Sequence, residues 1–126
     1  MKRGVSYGTG ALVTADQARL IEGRATSERQ FLGEVLRAAT DLNWLANHQR
    51  PARTETGWRT ATQGHAGFPD IVLCNGSRVL FVELKSEKGK LTRLQTQWIS
   101  LLKRCSVEVY VWRPSDWAEI LGVLSR

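Results

Sequence analysis

Two apolar runs joined by a turn signal constrain this chain more than any other feature. Asp70-Ile71-Val72-Leu73-Cys74 and Arg78-Val79-Leu80-Phe81-Val82-Glu83-Leu84-Lys85 flank Asn75-Gly76, a dipeptide favoured in tight hairpin turns because both central residues take positive φ there. The middles of both strands are apolar on both faces, which predicts a sheet covered by helices on each side rather than one facing water. The rest of the chain has to supply those layers.

Its periodicity does so. Ser27 followed three residues later by Gln30 is a capping-box pattern, and Phe31, Leu32, Val35, Leu36 and Ala39 recur at helical spacing, predicting an amphipathic helix over 27–41. Trp44 to His48 reads as a short strand. Gln49 to Gly67, rich in Arg, Thr and Gly without periodicity, reads as a mobile basic loop. Beyond the polar turn Ser86 to Gly89, the residues Leu91, Leu94, Trp98, Leu101 and Leu102 predict a second helix with one apolar stripe. Val107 to Trp112 alternates as a strand, Pro114 breaks it, and Asp116 with Glu119 would cap a last helix ending at Leu124. The fold class expected is α/β, in the order α-β-β-β-α-β-α, with a mixed sheet flanked by helices.

At 126 residues the chain fits one domain, expected over 25–126, behind an irregular or loosely attached arm at 1–24. No apolar run suggests a membrane span, and the basic start is not followed by a secretory core, so a cytoplasmic protein is expected. Cys74 and Cys105 are too few for a disulfide framework and are expected as buried, reduced thiols; neither pairs with His48 or His65 at zinc-ligand spacing. Of the tryptophans, Trp44, Trp98, Trp112 and Trp117 read as core or core edge, and Trp58 as the one available to stack on an unpaired base. The net charge of +6 suits a polyanionic partner. Arg50, Arg53, Arg59, Lys88, Lys90 and Arg93 border the hairpin in sequence and would clamp backbone phosphates, while no base-reading helix is evident.

The chemistry lies at one end of the hairpin. Glu83 and Lys85 are two apart and share a strand face, with Leu84 turned into packing. A two-residue loop would pair Cys74 with Ser77 and set Asp70 opposite Phe81, on the face of Glu83 and diagonal to it; an odd-numbered loop would send Asp70 to the other face. Two carboxylates converging beside apolar strands repel each other and lose solvation, a cost that a hard, oxygen-liganded cation such as Mg²⁺ or Mn²⁺ relieves. The Lys85 ammonium would orient or deprotonate the attacking water, or neutralise charge on a phosphoryl oxygen. Glu28, on the inward phase of the first helix, is either a further ligand or a first-turn acid favouring the helix dipole, whereas Glu34 falls on the outer face. Gln95, at the margin of the second helix's stripe, would contact the site or the substrate phosphate.

Gly67-Phe68-Pro69-Asp70, Glu83-Leu84-Lys85 and Gln95 with Trp98 together resemble the PD-(D/E)XK nuclease superfamily and, more narrowly, the VRR-NUC family. The resemblance runs from about Ser27 to Trp117 and rests on the nuclease core, since the chain contains no Val-Arg-Arg triplet. It implies a restriction-endonuclease-like fold and Mg²⁺- or Mn²⁺-dependent cleavage of DNA, with Asp70 and Glu83 as metal ligands, Glu28 as the helical acid and candidate third metal ligand, Lys85 as catalytic lysine and Gln95 as the glutamine of the second helix. It further implies similarity to stand-alone, phage-type resolvases that cut branched DNA such as Holliday junctions as homodimers. Two other readings stand beside it: a non-catalytic DNA-binding module, and a sequence-specific restriction-type nuclease.

Overall fold

The computed structural model describes residues 27–49, 52–54, 57–59 and 63–126; the expected arm at 1–24 lies outside them. In chain order the elements are α1 (Glu28–Asp41), β1 (Leu45–His48), β2 (Ala52–Thr54), β3 (Gly57–Arg59), β4 (Ile71–Cys74), β5 (Val79–Leu84), α2 (Arg93–Lys103), β6 (Glu108–Trp112), a 3₁₀ turn (Pro114–Asp116) and α3 (Trp117–Ser125). The main sheet is four-stranded in the order β1-β4-β5-β6. β1 and β5 each run antiparallel to β4, and β6 runs parallel to β5, so the sheet is mixed as expected. The segment expected as a mobile loop carries a separate two-stranded ribbon, β2-β3; strands of three residues are too short to leave a readable alternation.

Helix α1 begins and ends with its backbone groups satisfied. The Ser27 hydroxyl accepts from the Gln30 amide, and the Gln30 side chain accepts from the Ser27 amide, the reciprocal box its sequence predicts. At the other end Asn43 takes φ 72, the Asn43 amide donates to Thr40 O and the Trp44 amide to Ala39 O, a Schellman closure. That turn delivers Trp44 to the core, where its indole Nε1 donates to Leu124 O at 2.9 Å.

The core fills one side of the sheet. Ile71, Leu73, Leu80, Val82 and Leu84 face Phe31, Val35 and Ala39 of α1 and Ile120, Val123 and Leu124 of α3, all buried. The opposite face is covered more thinly. There Phe68 meets Phe81 and Trp98 edge-on, with ring centroids 6.0 and 5.0 Å apart. The stripe on α2 is accordingly not the buried face its periodicity suggests: Leu94 is 42% and Leu101 52% exposed, and Ile99 is the buried residue of that helix. Periodicity shows that a stripe exists and says nothing about what covers it.

Three smaller expectations are also corrected. Cys74 and Cys105 are free but exposed, because Cys74 ends β4 on the thin face and Cys105 lies past the end of α2. Asp116 occupies the N-cap position of α3 but makes no side-chain cap bond to it; its Oδ2 instead accepts from the Arg113 amide at 2.8 Å, holding the 3₁₀ turn that precedes that helix. At the far end of the hairpin Arg78 makes a bidentate pair with Glu108, both contacts 2.7 Å, and this pairing holds the Glu108 carboxyl down at about 2. Among the described residues no helix is long and apolar enough to cross a membrane.

Candidate active site

The hairpin turn decides where the acids meet. β4 and β5 pair Ile71 with Val82, Val72 with Phe81, Leu73 with Leu80 and Cys74 with Val79, so the loop is Asn75 to Arg78 and not Asn75-Gly76 alone. Asn75 is the reason. Its side-chain oxygen accepts from the amides of Ser77 (2.9 Å) and Arg78 (2.8 Å), an Asx turn that widens the loop, and only Gly76 of the expected pair takes positive φ, at 97°. The shift is two residues, so every side chain keeps its face. Carried one step past Ile71, the register sets Asp70 directly opposite Glu83 rather than diagonal to it.

Asp70 is half-buried, and its Oδ2 accepts from the Leu84 amide at 2.8 Å, which fastens the acid across the strand pair. Glu83 is 1% exposed and Lys85 8%. Burial above all pushes the Glu83 carboxyl up to about 8; the neighbouring Asp70 carboxyl adds to this, Lys85 opposes it, and Glu28 contributes the last upward push. Asp70, Lys85 and Glu28, the other three groups named from sequence, therefore all act on Glu83. Glu28, however, is exposed in the first turn of α1, and Glu34 is half-buried, the reverse of the inward and outward assignment that helix phase predicts.

Gln95 joins the site through the start of α2. Thr92 caps that helix: its hydroxyl accepts from the Gln95 amide, while Gln95 Oε1 accepts from the Thr92 amide at 2.9 Å. With its oxygen committed to the cap, the amide presents Nε2 to Glu83 and donates to Oε2 at 2.9 Å. Thr92-x-x-Gln95 is itself a capping-box signature, a sequence signal that the apolar stripe obscures. The loop before Asp70 is held by the same helix, since Trp98 Nε1 donates to the carbonyls of His65 and Ala66 at 3.2 and 3.1 Å. Gly67, at φ 96, passes so close that a Cβ there would lie 2.6 Å from the Leu94 carbonyl carbon.

A divalent cation fits the pair of acids on one observation: Glu83 Oε1 is buried and has no hydrogen-bond partner among the described residues. A buried, unpartnered carboxylate oxygen is costly until a cation or donor meets it. Among the described residues no group of three or more His, Cys, Asp and Glu side chains is gathered to hold a metal ion, so Glu28 is not drawn into a donor set with Asp70 and Glu83. Two carboxylates still suit Mg²⁺, which commonly takes one or two and fills its remaining positions with water and substrate phosphate.

Of the basic residues, Lys88, Lys90 and Arg93 are exposed on the turn after β5 and at the first position of α2. Arg50 lies outside the described residues, and Arg53 and Arg59 belong to β2 and β3, where only the backbone falls within them; the side chain of Trp58 likewise falls outside. Compared with known proteins, the chain matches the family model described as the VRR-NUC domain over residues 27–116. No curated protein matches it, and no solved structure does.

Proposed function

The chain belongs to the VRR-NUC family, a family of nuclease domains with DNA as partner, and on that premise we propose that it is a Mg²⁺- or Mn²⁺-dependent DNA endonuclease, cutting branched duplexes such as Holliday junctions as a homodimer. The observation that carries the catalytic part is the buried, unpartnered Oε1 of Glu83 on the strand face shared with Asp70 and Lys85. Asp70 and Glu83 would hold the cation, which when bound supplies Lewis-acid stabilisation of phosphoryl charge and an acidified water. The chain's own groups do the rest. The Leu84 amide fixes Asp70, Gln95 fixes Glu83 through Oε2 and leaves Oε1 available to a cation, and the Lys85 ammonium would offset negative charge building on the scissile phosphate. Glu28 contributes long-range charge. The branched substrate follows from the family resemblance, and the homodimer from the need for two cuts in opposing strands.

A panel of labelled junction, flap and linear duplexes, each with Mg²⁺ or with EDTA, tests the proposal. Metal-dependent products from the junction, lost in Glu83→Ala, are expected. Binding without cleavage under any metal overturns the enzyme reading, and discrete fragments from a linear plasmid would overturn the preference for branched DNA. Sedimentation of the protein in the absence of DNA tests the dimer, and a monomer bound singly to a junction would exclude it.

A further inference from the structure

Lys85 lies one residue beyond the end of β5, where the strand no longer holds it by regular pairing. Its amide makes one last parallel-sheet bond, donating to Trp112 O at 3.0 Å. The chain then leaves the sheet through Ser86, Glu87, Lys88 and Gly89. Such a turn presents carbonyls with no strand or helix partner, and a residue beside it has as much freedom as the turn allows.

Those carbonyls converge on one guanidinium. Arg113 Nη1 donates to Ser86 O and Gly89 O, both at 2.6 Å, with Glu87 O at 3.3 Å sharing the same nitrogen. Nη1 carries two N–H groups, so the two short contacts are full charge-assisted bonds and the third is the shared one. A second tie runs the other way: the Ser115 amide, in the 3₁₀ turn, donates to Glu87 Oε2, and the Arg113 amide is itself held by Asp116. The lysine stem passes close to the turn, since a Cβ at Gly89 would lie 3.5 Å from Lys85 Cδ and 2.8 Å from Ser86 Oγ. Holding the turn therefore holds the lysine.

We propose that Arg113 is a positioning residue for Lys85, acting through the Ser86–Gly89 turn, a proposal that rests on the nuclease reading above. Arg113 touches neither the acids nor the ammonium; it removes the freedom of the segment that carries the ammonium. Misplacing a catalytic group by about an ångström costs on the order of a hundredfold in rate, and the loss falls mainly on turnover, because Lys88 is the one basic residue of the turn while Lys90 and Arg93 lie beyond it.

Wild type, Arg113→Ala, Arg113→Lys and Glu87→Gln are compared on a labelled junction in Mg²⁺, with binding measured in EDTA and backbone hydrogen exchange followed over 85–90 and over α1. For Arg113→Ala the expected result is kcat lower by about ten- to a hundredfold with KM and Kd within about threefold of wild type. Exchange rises over 85–90 and is unchanged in α1, and Arg113→Lys recovers part of both effects. Wild-type kcat in Arg113→Ala, a loss confined to KM, or unchanged exchange over 85–90 overturns the proposal. If Arg113→Ala does not fold, Glu87→Gln loosens the second tie, and a several-fold fall in kcat with KM unaltered is required of it. Failure of the wild type itself to give metal-dependent products overturns the nuclease reading, an outcome distinct from wild-type cleavage that Arg113→Ala matches.

Discussion

Glu83 places a carboxylate at 1% exposure with one oxygen bound to Gln95 and the other without a partner. Its carboxyl titrates at about 8 in the folded chain against an ordinary 4.5, so folding takes up a proton between those values. Stability from this group is complete below about pH 4.5 and declines as the pH rises through about 8. In EDTA, the melting temperature of the wild type is expected to fall between about pH 5 and about pH 9, and Glu83→Gln should flatten that slope. Mg²⁺ should restore the wild-type value at the upper pH and leave the variant unmoved, since a ligand stabilises only the state that binds it. An identical pH slope in both proteins, read by calorimetry, would remove Glu83 as its source. Asp70, Glu83 and Lys85 are legible in the sequence because a strand's two-residue period assigns faces and survives any even error in loop length. Glu28 is less so: helix phase gives a direction, but in a first turn it does not say whether anything packs there.

Among the elements, the contact between α2 and the loop before Asp70 holds the two halves of the site together. Gly67 has no room for a side chain, since a Cβ there would stand 2.6 Å from the Leu94 carbonyl carbon and 2.7 Å from its oxygen, and its φ of 96° is unfavourable for any other residue. Gly67→Ala is expected to cost about 1–3 kcal/mol, measured by urea denaturation, and to push α2 outward so that Gln95 loses Glu83. A stability within a few tenths of wild type would show that the loop can move aside freely. The elements themselves are largely readable, because capping boxes, apolar periodicity and the turn dipeptide are local signals. The departures fall where a side chain or a distant element decides. Asn75 widens the hairpin with its own oxygen, the ribbon β2-β3 is too short for periodicity, and the exposure of Leu94 and Leu101 depends on what the rest of the chain leaves uncovered.

For the whole molecule, the net charge of +6 makes association with DNA a matter of counterion release. Lys88, Lys90 and Arg93 are exposed in the segment that leads from Lys85 into α2, which makes them candidates for the phosphate contacts. Replacing all three with Ala should reduce the slope of log K against log salt by about 2 to 3, and weaken binding to unrelated sequences alike. A slope unchanged in fluorescence titrations over a range of salt would place the phosphate contacts elsewhere on the surface.

The parallel pairing of β5 with β6 also sets an order of events. The two acids are brought together by a local antiparallel ribbon, whereas the last backbone bond of Lys85 comes from Trp112, across a connection that includes a whole helix. Local contacts close earlier than distant ones because the shorter loop loses less entropy. A refolding chain is therefore expected to bring its two acids together before the final strand anchors the Lys85 backbone.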